Sequence, residues 1–379
     1  MKKFLIGQLA CYGDCLYATT IAKQIRNDYP DSHITWAVSS NYRSILEMNP
    51  DIDKIWEIEI PDKKYYTSGW KNFKKQALQK QKKGEFDEII FSQIPPDNWK
   101  NYTGTVRHTI VSSYRKPITV PVDPVVRLSQ QEIGNVKRFA EKHAFKQYKE
   151  VVLFECAPGN GQSDIDIESA VEIAEEISKK HTDVCFVISS AKPLQIIKER
   201  IVDASGLSYR ENAELTNYCT LLIGCSSGIT WLTTSDWAKK LPMIQILNRR
   251  YPIYVGLSYE FEMWNLDNRR IIEMLNPARE QVFACIDLVW REGFIKAKEK
   301  YHESYLPSYE NFKSVTAGIL GTYNIFSAFK MIFTHNKFHQ HLKKRVLFVD
   351  LCITFIKVYW GKFLRSPKKF ISLLKRKSG

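Results

Sequence analysis

Residues 3–15 read Lys-Phe-Leu-Ile-Gly-Gln-Leu-Ala-Cys-Tyr-Gly-Asp-Cys and run on through an amphipathic stretch to Tyr29-Pro30. The apolar run Phe4, Leu5, Ile6 predicts a strand, Cys11-Tyr12-Gly13-Asp14 a turn, and the following segment a helix that stops before Pro30. A carboxylate just past the carboxyl end of a strand lies where open α/β sheets keep their ligand crevices, which singles out Asp14. By itself an aspartate there also suits a helix N-cap. Working outward, the pattern continues with a short strand (Ile34 to Val38), a helix (Asn41 to Met48), Asn49-Pro50-Asp51-Ile52-Asp53 and a strand over Lys54 to Ile58.

The 379 residues suffice for two ordinary domains, and 44% hydrophobic content supports sizeable cores. A lysine-rich stretch from Pro61 to Gly84 reads as a surface insertion before the strand Phe86 to Ser92. Pro117, Pro121 and Pro124 mark a connector, a capped helix follows at about 129–146, and Val151 to Cys156 opens a second strand series. Strands alternating with helices predict parallel sheets. The expected division is a first Rossmann-like domain over 1–125, a second over 126–295, and a helical tail over 296–379.

Two loops of the second half carry chemistry. Gly159-Asn160-Gly161 lies between a strand and a helix, where exposed backbone amides attract anions. It has neither the Walker lysine nor G-x-G-x-x-G spacing, which argues against a P-loop ATPase or a simple dinucleotide enzyme. Cys225-Ser226-Ser227-Gly228 follows the strand Thr220 to Gly224 and precedes a helix through Trp231, Leu232 and Trp237, which brings hydroxyls to a helix start. A plain pair of capping serines is the other reading of that loop.

The opening resembles the bacterial heptosyltransferases, the family 9 glycosyltransferases. The shared features are Gly13-Asp14, Thr19-Thr20, Tyr29-Pro30 and Leu46-Glu47-Met48-Asn49-Pro50-Asp51-Ile52-Asp53, all in order. The likeness is strong over residues 3 to about 58, moderate over 151–247 and slight elsewhere. It implies a GT-B fold: two doubly wound Rossmann-like domains facing across a cleft. It also implies Asp14 as catalytic base, Tyr12 and Gly13 in the acceptor-side turn, and Gly159, Asn160, Gly161, Ser226, Ser227 and Gly228 at the donor phosphates. No metal or other cofactor is expected. Where the family has Asp and His, this chain has Ser226 and Trp231, which separates it from ADP-heptose chemistry. The family's lysine in the first glycine loop is missing too. Lys192, in Ser189-Ser190-Ala191-Lys192, either replaces that cation near the nucleotide or is a solvated surface lysine.

The formal charge of +14 is concentrated at one end. Residues 330–379 hold thirteen Lys or Arg against one Asp, interleaved with Phe, Ile, Leu and Trp. Such a tail suits helices lying on an anionic membrane surface and argues against nucleic-acid binding. Val346 to Trp360 is too short to span a bilayer. Eight scattered cysteines without paired zinc-ligand spacing suit a reduced, cytoplasmic protein. The apolar stretch after Lys2-Lys3 is too short for a signal peptide. The expected function is therefore an inverting, metal-independent glycosyltransferase that uses a nucleotide-sugar donor. Its acceptor is a lipopolysaccharide, O-antigen or capsule-type glycan at the inner face of the cytoplasmic membrane. A catalytically silent, membrane-docked scaffold of the same fold is the alternative.

Overall fold

A computed structural model describes residues 1–379 except 103, 160, 195–197, 250–254, 323–327, 329–343 and 366–379. The first sheet is parallel with order β3-β2-β1-β4: β1 Lys3–Gly7, β2 His33–Ser39, β3 Lys54–Ile58 and β4 Glu88–Phe91. Phe4, Leu5 and Ile6 are fully buried, with Phe4 and Ile6 in one apolar cluster and Leu5 in another. That explains the unbroken apolar run, because a parallel strand is covered on both faces. Helix α1 (Tyr12–Asp28) links β1 to β2, and a 3-10 segment (Ser40–Leu46) replaces the α-helix expected over Asn41 to Met48.

The stretch from Pro61 to Gly84 is not a surface insertion but largely a crossover helix, α2 (Tyr66–Lys82), joining β3 to β4. Trp70, Phe73 and Ala77, at helical spacing, are buried against Leu5, Leu9 and Ala37. Three apolar positions suffice to seat a helix that is otherwise lysine and glutamine, and the composition masked them. Gly7 admits this packing, since a Cβ there would stand 2.9 Å from the Phe73 ring.

The chain then passes through α3 (Val106–Val111) and the proline connector to α4 (Gln130–Lys142), whose start is a complete capping box between Ser129 and Glu132. The second sheet has the order β10-β9-β8-β5-β6-β7, all parallel. Its strands are β5 Glu150–Glu155, β6 Val184–Ser189, β7 Ile201–Asp203, β8 Leu221–Gly224, β9 Met243–Leu247 and β10 Ile271–Leu275. The helices are α5 (Ile167–Lys180), α6 (Glu211–Leu215), α7 (Gly228–Leu232), α8 (Leu257–Met263), α9 (Arg279–Glu292) and α10 (Phe294–Tyr301). Two further helices follow, α11 (Tyr309–Thr322) and α12 (Lys344–Arg365). Helix α7 ends at Leu232 rather than running to Trp237. The Thr233 and Thr234 hydroxyls donate back to the carbonyls of Thr230 and Trp231, competing with continued helix.

Strand order reverses between β1 and β4 in the first sheet and between β5 and β8 in the second. Crevices open at the carboxyl ends of such strand pairs. The loops that leave them are Gln8–Cys11, Cys156–Asp166 and Cys225–Ser227. One apolar cluster runs from Phe4 and Ile6 through Trp231 and Leu232 to Leu153 and Val187, so the two sheets share a packed interface.

Candidate active site

Helices α1 and α7 are in contact, and their first turns line one cavity of about 510 Å³ between the loops. Tyr12, Gly13, Asp14, Gly159, Ser226, Ser227 and Gly228 all line it. The sequence expectations for these positions thus converge on one space. Gly161 sits in the same loop as Gly159 at φ 71°, away from the lining, and Asn160 lies outside the described residues. Lys192 is exposed, next to Ser190 and Ala191, which reach the cavity wall.

Asp14 is the third residue of α1, not its N-cap; Cys11 holds that place. From there the carboxylate accepts from the Cys11 amide, the backward half of a capping box. Enclosure by the cavity wall pushes its pKa up from the ordinary carboxylate value to about 7, the Cys11 amide pulling the other way. A carboxyl with that poise takes a proton readily near neutral pH.

Opposite, Ser226 is buried at φ 51°, its amide donating to Gln245 Oε1 and its carbonyl accepting from Trp231 Nε1. Ser227 caps α7, and its hydroxyl accepts from the Gly228 amide at 2.7 Å. The Ser227 hydroxyl still has its own proton to donate into the cavity. Beneath them lies Glu155, which the sequence reading passed over. Its carboxylate, at the end of β5, accepts from the amides of Cys225 (3.1 Å), Ile229 (2.8 Å) and Thr230 (3.2 Å) and from the Thr230 hydroxyl. An internal anion therefore holds the start of α7, and the amides of Gly228, Ile229 and Thr230 are engaged within the protein. Gly224 is required for this arrangement. A Cβ there would meet Thr230 Oγ1 at 2.4 Å and Gln245 Nε2 at 2.5 Å. The signal in sequence was a glutamate closing a strand directly before a glycine-bearing loop.

Aromatic rings close the gap. Tyr12 stacks on Tyr209 of the second sheet's half with centroids 4.2 Å apart, and Tyr42 meets Tyr12 edge-on at 5.0 Å. Tyr17, one turn beyond Asp14, meets Trp231 edge-on at 4.7 Å. Trp231 thus fills, as packing, the place where the resembled family carries histidine. Behind it, Arg107 of α3 is buried over the rings of Tyr17, Trp231 and Phe261. Its guanidinium pairs with buried Glu260 of α8 at 3.5 Å. Burial raises the Glu260 carboxyl to about 7 against the pull of Arg107. Neither partner was singled out from sequence, because only the fold brings α3 and α8 together.

Other histidines and tryptophans of the first half lie apart from the cavity lining. His33 opens β2. His108 sits on α3 with its Nδ1 3.3 Å from Ser112 Oγ. Trp36 and Trp70 are buried in the core. Among the described residues, no group of three or more His, Cys, Asp and Glu is placed to hold a metal ion.

No family model matches the sequence, and no curated protein matches it. Solved structures do. The glycosyl transferase family 9 protein from Veillonella parvula DSM 2008 is similar with a TM-score of 0.53 at 13% identity, covering 79% of this chain and 94% of that one. The E. coli ADP-heptose LPS heptosyltransferase II is similar with a TM-score of 0.51 at 12% identity, covering 76% of this chain and 98% of that one. At such identities the shared property is the architecture: the chain has the two-sheet GT-B fold seen in these glycosyltransferases.

Proposed function

We propose that this chain is a glycosyltransferase that moves a sugar from a nucleotide-sugar to a hydroxyl of a surface-glycan acceptor, with inversion and without a metal. The observation that carries the reading is Asp14. A carboxyl poised at about 7 shares one cavity with the paired serines at the opposite switch point. In the reaction, the Asp14 carboxylate removes the acceptor hydroxyl proton while that oxygen attacks the anomeric carbon from the face opposite the leaving diphosphate. The glycosidic bond forms as the sugar–phosphate bond breaks, in a single displacement. The leaving group's charge is met by the Ser226 and Ser227 hydroxyls and by the Gly159–Gly161 loop, with Lys192 at the rim. Glu155 already engages the α7 amides, so hydroxyl donors and the glycine loop carry more of this task than a free helix start would.

The acceptor class, a lipopolysaccharide, O-antigen or capsule-type glycan, and a peripheral position on the inner membrane face follow from the basic tail and the family resemblance. A second reading, a catalytically silent membrane-docked scaffold, draws support from that same Glu155, whose negative charge beneath the serines opposes a phosphate. Thermal-shift screening with ADP, GDP, UDP and CMP identifies the nucleotide, since a ligand that binds only the folded state raises its stability. Turnover of the matching nucleotide-sugar by the wild type and not by Asp14→Asn establishes the transferase. Equal turnover by both, or none by either, removes it.

A further inference from the structure

Among the described residues, helix α12 has one apolar face packed inward and a second, exposed one. Phe355, Val358 and Tyr359 pack inward against the core, where α12 lies along α11. Val349, Ile353, Ile356, Trp360 and Leu364 are 57, 43, 61, 60 and 64% exposed. At helical geometry these five fall within an arc of about 80° and run about 22 Å along the axis. Single exposed apolar side chains are ordinary, but an unbroken line of five large ones marks a contact surface.

Charge selects what covers it. Residues 330–379 carry thirteen Lys or Arg against one Asp, and exposed Lys357 flanks the stripe. A second copy of the chain would add the same excess positive charge, whereas an anionic lipid surface neutralises it. Among the described residues no helix is long and apolar enough to cross a membrane, so the geometry is that of a helix lying in the surface.

The fold also says which half of the molecule the stripe serves. Helix α11 packs on the segments Ile94–Asn98 and Trp99–Asn101, which follow β4 of the first sheet. The contact is close: a Cβ on Gly318 would stand 2.8 Å from the Trp99 ring. Although α12 comes last in sequence, it is thereby fastened to the half that carries Asp14.

We propose that the stripe Val349, Ile353, Ile356, Trp360 and Leu364 is the surface on which this chain lies against an anionic bilayer, holding the Asp14 half at the lipid. It deepens the membrane-side reading above by fixing the face and the half involved, and it places a lipid-anchored acceptor on the side of the base. The test is flotation of the purified full chain with vesicles of phosphatidylcholine alone or with about one third phosphatidylglycerol. The wild type floats with the anionic vesicles only, and less as salt rises. The double variant Ile356→Glu/Trp360→Glu, with unchanged circular dichroism, binds at least about tenfold more weakly, and the milder Ile356→Gln falls between. Light scattering gives the same mass for wild type and double variant. Wild type that ignores anionic vesicles, a double variant that binds equally, or a wild-type dimer dissolved by the double variant overturns the proposal. Vesicle binding needs no donor, so it succeeds or fails independently of the transferase assay, in which the double variant retains wild-type donor turnover.

Discussion

If Asp14 is the base, its titration sets the acid limb of the reaction. The carboxylate must be ionised to accept the proton, so activity is present above the pKa and is lost as pH falls through it. With that value at about 7, the ionised fraction climbs from about one tenth at pH 6 to about nine tenths at pH 8, and kcat/KM rises roughly tenfold across that interval. An ordinary carboxylate is fully ionised throughout and gives a flat profile. Replacement by asparagine removes the proton acceptor and lowers turnover by about 10²–10⁴-fold. Stability moves the other way. A carboxyl whose folded pKa lies above its unfolded value is a liability that grows as pH rises from the ordinary value toward the folded one. Asp14→Asn is therefore more heat-stable than the wild type at pH 8, a gain that shrinks toward pH 4. A capping aspartate with no catalytic part would instead lose stability on replacement and leave the rate alone. The assays are steady-state rates from pH 5.5 to 8.5 and melting temperatures at both ends. A flat rate profile, or a slow Asp14→Asn that is also less stable at pH 8, refutes the assignment.

Three further expectations concern the frame around the base. Replacing Glu155 by glutamine turns an amide donor toward the backbone donors of Cys225, Ile229 and Thr230. The loss is about 1–3 kcal/mol, with faster hydrogen exchange at Ile229 and Thr230, and unchanged exchange there speaks against the internal-anion role. Arg210 spends all five donors, on both oxygens of Glu132 and on the carbonyls of Ser44, Glu47 and Arg127. Arg210→Ala leaves Glu132 with only its Ser129 donors and costs about 1.5–3 kcal/mol, whereas a denaturation midpoint equal to wild type would show the clasp to be idle. Glu273 is fully buried with its carboxyl raised to about 7 by burial. Glu273→Gln therefore gains roughly 3 kcal/mol at pH 8 and little near pH 4, as urea titrations at the two pH values would read out.

What could be read from the chain beforehand was whatever is local. The unbroken run Phe4 to Ile6 and the serines after Gly224 announce themselves within a few residues, because strand burial and capping act over that range, whereas the turn expected over Cys11 to Asp14 is already the first turn of α1. Helix α2 hid behind its own composition: with lysines on most faces, its narrow stripe of Trp70, Phe73 and Ala77 passed for surface. Glu155, Arg107, Glu260 and Arg210 were silent for a different reason. Each has partners more than sixty residues away, so its meaning appears only once the sheets are assembled. The attachment of α11 to Trp99 belongs with them.

Those long-range contacts also shape the wall at Ser226 and Trp231, where this chain departs from the resembled family. The aspartate missing at Ser226 and the histidine missing at Trp231 leave a wall that is less charged at its surface and more apolar behind. A carboxylate lies beneath that wall at Glu155, where backbone amides and a threonine hydroxyl satisfy it. The space behind the second position is filled by Trp231 packed between Tyr17 and the Arg107 guanidinium. Arg107 links α3 to Glu260 of α8, and Arg210 ties the second sheet's half to Ser44 and Glu47. Both contacts join the two halves on either side of the cavity. A base works only when its oxygen lies within about 3 Å of the proton it removes, so if Asp14 is that base, ties that fix the two halves bear on the rate as well. On this view Arg210→Ala slows transfer more than it weakens nucleotide binding, because in the proposed mechanism the nucleotide contacts one half while the displacement needs both.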